Sequence, residues 1–152
     1  MRAERISASL RTALSAGAGY FALVFAAGFV LGTGRVLLLE AALGAVRAVL
    51  IETPVILAVS WIASGALVRR LAVPARVGPR LIMGGGAFGL LLLAELALSV
   101  WAFGRTPGAF LAGLAEPAGL IGLAGQTLFA AFPAVRLIGG GEPVISTPQD
   151  DA

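Results

Sequence analysis

The sequence predicts an all-α protein, a bundle of four transmembrane helices, and two observations carry that prediction. Of the 152 residues, 59% are hydrophobic and only 12% are charged, too few polar side chains to coat a soluble domain of this size. The apolar residues also fall into four continuous runs, each close to the roughly 20 residues that a helix needs to cross a bilayer. The lipid bilayer is therefore the first partner that the sequence predicts.

The four predicted spans are residues 12–34, 48–68, 81–104 and 117–135. None of these runs alternates between apolar and polar residues as the strands of a membrane barrel do. Each run is therefore predicted to be a helix. The first run is longer than the apolar stretch of about 7–15 residues in a cleaved signal peptide, which favours a retained span.

Short loops are predicted between the spans. Residues 69–80 and 105–116 form two of them, and Pro117 suits the first turn of the fourth helix because proline lacks the N–H that this turn leaves unpaired. Residues 1–138 are expected to form a single membrane domain. The polar stretch 139–152 contains three successive glycines in its first three positions and two prolines, and it is predicted to be a disordered cytoplasmic tail.

Arginine placement predicts that both termini are cytoplasmic. Cytoplasmic loops of membrane proteins carry an excess of Lys and Arg, and all eleven basic residues here are Arg. That usage, together with abundant Ala, Gly and Leu, is typical of GC-rich bacteria, so the inner membrane is the expected location. With a cytoplasmic N-terminus, eight arginines lie inside (Arg2, Arg5, Arg11, Arg69, Arg70, Arg76, Arg80, Arg136) and three outside (Arg35, Arg47, Arg105).

Missing residue types exclude several functions. The chain contains no Cys and no His, so it lacks thiolates, disulfides and the commonest side-chain ligands of zinc and haem iron. Neither a metal site nor a cofactor is predicted, although a quinone would need no such ligand. The formal charge of +3 is scattered along the chain, whereas a nucleic-acid surface concentrates its basic residues. No nucleophile–base set is visible, so the protein is not expected to be an enzyme.

Paired glycines are predicted to mark helix contacts. Gly28 with Gly32, and Gly85 with Gly89, are four residues apart, a spacing at which small residues let two membrane helices approach closely. Residues 84–89 also match the letters of a dinucleotide-binding fingerprint. That fingerprint needs a preceding strand and an acidic residue about 20 positions later, and the sequence offers neither.

Two carboxylates interrupt the predicted spans, and a charge at the bilayer centre costs at least about 2.5–3.5 kcal/mol. With a rise of about 1.5 Å per residue, Glu52 lies roughly 6 Å inside the outer end of the second helix. The same rise places Glu95 roughly 9 Å from the outer face. Arg35 ends the first span and Arg47 precedes the second. These four charges are therefore predicted to form one intramembrane cluster in the outer half of the bundle.

Three interpretations of this cluster stay open. It can be an Arg–Glu network that holds the helices together, or a polar pocket that binds a proton, a cation or a small polar ligand. Alternatively, its side chains extend to the interface without partners. Gln126 and Thr127, the polar residues of the fourth span, are predicted to hydrogen-bond a neighbouring helix.

Several stretches resemble a group of small bacterial four-helix membrane proteins with no assigned activity. They are GTGRV (32–36), LIETP (50–54), AELAL (94–98), the stretch 107–117 and LFAAFP (128–133). The resemblance extends over residues 21–133 and implies that Arg35, Glu52 and Glu95 are characteristic positions. It implies no activity.

The expected function is that of a non-enzymatic accessory or structural subunit of the inner membrane. Such a subunit would pack its helices against a larger membrane protein or against further copies of itself. The alternative is a small transporter or channel, coupled to protons or cations, that uses Glu52 and Glu95 as its ion site.

Overall fold

The structure, a computed structural model, describes residues 2–139, which form helices and short connections with no β-strand among them. The elements are α1 (Arg2–Gly34), a π-helical segment (Arg35–Leu39), α2 (Glu40–Leu43), α3 (Ala45–Arg70), α4 (Val77–Trp101), α5 (Pro107–Leu114) and α6 (Pro117–Gly139). Within this described part of the chain, four helical stretches are long and apolar enough to cross a membrane: Ile6–Leu43, Ala45–Arg70, Val77–Trp101 and Pro117–Ile138. The all-α class and the number of candidate spans are thus confirmed.

The helices differ from the predicted spans mainly at their ends. At about 1.5 Å per residue the four long helices measure roughly 35–50 Å, more than the hydrocarbon thickness of about 30 Å. Helix α4 begins at Val77, four residues before the predicted start, because Pro79 fits a first helical turn. It ends at Trp101, and Gly104 has a φ of +64° that cannot continue a helix. Of the predicted tail, Gly139 ends α6, and residues 140–152 lie outside the described part of the chain.

The predicted loop 105–116 is wrong in one respect, because it contains the short helix α5. The Thr106 hydroxyl accepts a 3.1 Å hydrogen bond from the backbone N–H of Ala109, and Pro107 occupies the first turn. A threonine N-cap followed by proline is a helix-start signal. The sequence therefore carried the information for α5.

The four long helices form a ring in which α1 and α6 each pack against both α3 and α4. Two glycines allow the backbones of these long helices to approach closely. A Cβ added at Gly17 on α1 would lie 2.8 Å from the carbonyl oxygen of Met83 on α4. A Cβ at Gly84 on α4 would overlap the carbonyl oxygen of Ala130 on α6. These helices can approach so closely because neither glycine has a side chain.

The two ends of the bundle are packed differently. One end, called here the Pro74 end, carries the connection 71–76 between α3 and α4; the other, the Gly44 end, carries the turn between α2 and α3. Buried side chains fill the half next to the Pro74 end, and Tyr20 reaches across the ring to stack on Phe129 with ring centroids 4.3 Å apart. The buried cluster comprises Ala16, Tyr20, Val24, Ala63, Val73, Met83, Ala87, Leu91 and Phe129.

Arg136, near the end of α6, is held against α3. Its guanidinium lies 4.0 Å from the centre of the Trp61 ring and donates a hydrogen bond to the Trp61 carbonyl oxygen. Gly65 makes room for this group, since a Cβ there would lie 2.6 Å from the guanidinium carbon. The arginine is therefore anchored by a cation–π contact and a hydrogen bond to one residue of the neighbouring helix.

Candidate functional site

A cavity of about 770 Å³ lies between α1, α3, α4 and α6 in the half of the bundle next to the Gly44 end. Its volume is in the range of about 300–1,000 Å³ that is usual for small-molecule sites. Most of its lining is apolar and includes the rings of Phe25, Phe29, Phe103 and Phe129. Its charged lining residues are Arg35, Glu40, Glu52 and Glu95.

Arg35 is paired with two carboxylates. Its Nε lies 2.7 Å from Oε2 of Glu52, and its Nη1 lies 3.0 Å from Oε1 of Glu40. The side chains of Arg35 and Glu52 are 22% and 17% exposed, so most of this ion pair is removed from the surface. Arg35 thereby links the end of α1 to α3 through a short charge-assisted contact.

The π-helical segment Arg35–Leu39 explains why Glu40 reaches Arg35. The backbone N–H of Glu40 donates a hydrogen bond to the carbonyl oxygen of Arg35, five residues earlier. In an ordinary α-helix, side chains three or four positions apart are the neighbours. The wider turn brings the fifth residue into reach instead. Single π turns are rare and are frequently found at functional sites.

Glu95 on α4 is held by a neutral partner. The Gln126 Nε2 on α6 donates a 2.7 Å hydrogen bond to Oε1 of Glu95. The predicted contact of Gln126 with a neighbouring helix is thus confirmed. For Thr127 the same prediction is wrong, because its hydroxyl donates to the carbonyl oxygen of Leu123 in its own helix, at 2.8 Å. One step along a helix turns a side chain by about 100°, and Thr127 is exposed.

The structure brings three of the four predicted charges to one site. Arg35, Glu52 and Glu95 line the same cavity. Arg47 does not line it and is exposed in the first turn of α3, because residues five positions apart on an α-helix do not share a face and Arg47 therefore points away from Glu52. The prediction did not include Glu40, since an i, i+5 pairing is not expected of a regular helix.

The four predicted packing glycines divide into two pairs. Gly28 and Gly32 line the cavity, and a Cβ at Gly32 would lie 3.7 Å from Oε1 of Glu52. Gly85 and Gly89 lie on a face of α4 where no heavy atom of the described residues comes within 4 Å of an added Cβ. Among residues 2–139 this face makes no helix crossing. Its contact with a partner helix stays a prediction.

Residues 2–139 include no group of three or more His, Cys, Asp or Glu side chains that could hold a metal ion. The site instead combines an apolar cavity, one ion-paired arginine and a carboxylate held by an amide. The four long apolar helices that surround this site are those of a multi-pass helical membrane protein. No protein-family model matches the chain, and neither does any curated protein or solved structure.

Proposed function

We propose that this chain is a non-enzymatic accessory subunit of the bacterial inner membrane with both termini in the cytoplasm. In this role it packs against a larger membrane protein or a second copy of itself. The observation that carries the proposal is the open glycine face of α4, defined by Gly85 and Gly89.

These two glycines are one helical turn apart, and their Cβ positions meet open space. Gly84, one position earlier, already serves the crossing with α6. Among the described residues, helix α4 therefore has Gly84 at a contact inside the bundle, whereas Gly85 and Gly89 lie on a face without such a contact. Hydrocarbon tails give no hydrophobic reason for helices to associate, so close van der Waals packing drives association, and small residues permit it. The open face is suited to a second helix.

Copurification from mild detergent tests this proposal. The tagged chain should bring down a stoichiometric partner, or migrate as an oligomer. Gly89→Leu should abolish that association, because a bulky side chain prevents close approach. Gly34→Leu is the matched control and should leave the association intact. A Cβ at Gly34 also meets open space, but this glycine is on α1 and not on the open face of α4. A chain that stays monomeric and alone in mild detergent would remove the accessory role.

A second candidate function is a small proton- or cation-coupled transporter that uses Glu52 and Glu95. It is favoured by Glu95, whose carboxylate lines the cavity and accepts a hydrogen bond from the neutral side-chain amide of Gln126. Proteoliposomes containing the purified chain should then show proton- or cation-dependent flux, and Glu95→Gln should abolish this flux while the protein stays folded. Because packed side chains fill the half of the bundle at the Pro74 end, transport would need a second conformation.

A further inference from the structure

We propose that the cavity between α1, α3, α4 and α6 binds a lipophilic organic cation, a molecule with one positive charge on an aromatic or branched hydrocarbon body. The cavity is lined by residues of a single chain. Ligand binding in this cavity therefore requires neither the partner helix proposed for α4 nor transport.

The charges of the lining do not balance. One guanidinium and three carboxylates line the cavity, so the formal charge with all four groups ionised is +1 − 3 = −2. Arg35 is shared between Glu52 and Glu40, at 2.7 and 3.0 Å. Charges interact more strongly in an apolar surrounding than in water. This excess of negative charge attracts a cation and repels an anion.

Among the cavity's carboxylates, Glu95 is the one that faces the ligand space without a cationic partner within the described part of the chain. Its hydrogen bond comes from the neutral amide of Gln126. Leu91 and Leu98, one turn away on either side of it, also line the cavity. This face of α4 therefore points into the cavity, with the carboxylate between two apolar contacts. The Oε1 of Gln126 has no hydrogen-bond donor among the described residues, which adds a partial negative charge beside Glu95.

The rest of the lining suits the body of such a ligand. Four phenylalanine rings and many aliphatic side chains form the walls, and aromatic faces attract cations as well as apolar groups. Gly122 on α6 leaves space, because no heavy atom of residues 2–139 lies within 4 Å of an added Cβ there. An uncharged acyl chain would use the walls but not the carboxylate, and an anionic headgroup would meet a net negative lining.

Two probes of the same shape and opposite charge separate these occupants. The full chain in lipid nanodiscs is dialysed to equilibrium against tetraphenylphosphonium or tetraphenylborate, and partitioning into protein-free nanodiscs is subtracted. We expect one saturable phosphonium site per chain and no saturable borate binding. Saturable binding of both ions with similar affinity would show an apolar pocket that ignores charge. That result, or no saturable phosphonium binding, overturns the proposal.

Two variants locate the site. Glu95→Gln keeps a side chain of the same shape and should weaken phosphonium binding at least about tenfold, as expected when one partner of a desolvated charge contact is lost. Glu116→Gln is its control, because Glu116 is exposed and lies outside the cavity lining. Its affinity should equal that of the original chain.

Gly122→Leu fills the cavity without changing any charge, and it should also weaken phosphonium binding. If Glu95→Gln does not fold, the Gly122→Leu variant shows by itself whether the phosphonium ion binds in this cavity. The fold of each variant is checked by circular dichroism and size-exclusion chromatography. Unchanged phosphonium affinity in a folded Glu95→Gln or Gly122→Leu variant contradicts binding in this cavity.

Discussion

The Tyr20 hydroxyl donates a 3.0 Å hydrogen bond to the main-chain carbonyl oxygen of Phe129. In an α-helix that carbonyl would accept from the residue four positions later. Here that residue is Pro133, which has no N–H to donate. Tyr20, from the diagonally opposite helix, thus satisfies the carbonyl that the proline leaves free. Within a bilayer this hydrogen bond stabilises the fold, because no water is present to donate to the Phe129 carbonyl in place of the missing N–H.

Tyr20→Phe should lower the free energy of unfolding by about 1–3 kcal/mol, because the ring is kept while a buried carbonyl loses its donor. In a Pro133→Ala background the same substitution should cost less, since alanine at position 133 supplies the backbone N–H. A double-mutant cycle of unfolding in mixed micelles measures the difference. Equal costs in both backgrounds would show that the stabilisation by the Tyr20 hydroxyl does not depend on the missing N–H of Pro133.

The glycine run on α4 offers a second test with an adjacent control. Gly84→Ala should destabilise the bundle by about 1–3 kcal/mol, because its Cβ would force α4 and α6 apart. Gly85→Ala should have no cost, or a gain of about 0.5–1 kcal/mol, since its Cβ meets open space and alanine favours the helix. Unfolding of both variants under one condition gives the comparison. The interpretation fails if the two substitutions have the same effect.

The ion pair of Arg35 and Glu52 predicts a non-additive pair of substitutions. Arg35→Ala leaves a carboxylate without its cation, a change that costs up to about 3–5 kcal/mol when the survivor is buried. We expect less here, because both side chains are about one fifth exposed. Arg35→Ala combined with Glu52→Gln should be less damaging than Arg35→Ala alone. Arg47→Ala, at an exposed arginine outside the cavity, is the control and should leave stability unchanged.

The eight-to-three division of arginines predicts the orientation in the membrane. Reporter fusions after Gly139 should be active in the cytoplasm, and fusions near Gly108 should be active on the outer side. Because the chain contains no Cys, single introduced cysteines can be labelled from either side as an independent measurement. A C-terminus outside the cytoplasm would contradict the arginine argument.

The helices could be predicted from sequence because hydrocarbon thickness sets the length of a span, and apolar runs of that length are unambiguous. Depth along a helix could be estimated in the same way, which placed Arg35 and Glu52 at one level. The rotation of each helix about its own axis could not be predicted from the sequence. In a soluble helix the polar face indicates which side is exposed, but here every face is apolar. For that reason Gly84, and not Gly85, proved to be the glycine at the α4–α6 crossing.

Partners that depend on irregular backbone were equally hidden. Glu40 meets Arg35 only because a π turn intervenes, and no residue type in that stretch demands such a turn. By contrast, Thr106 and Pro107 signal the start of α5 in the sequence itself.

The π turn also means that this chain holds one residue more than a straight helix would need between Arg35 and Gly44. Removing Leu38 would let the stretch relax into an ordinary α-helix, with Glu40 four positions from Arg35 and still its neighbour. Removing Leu92 from α4 would instead turn Glu95 by about 100° away from Gln126. Shortening should therefore be tolerated at the first position and not at the second, as unfolding of the two deletion variants would show. Sequences otherwise alike could differ in length by one residue here and keep the same bundle.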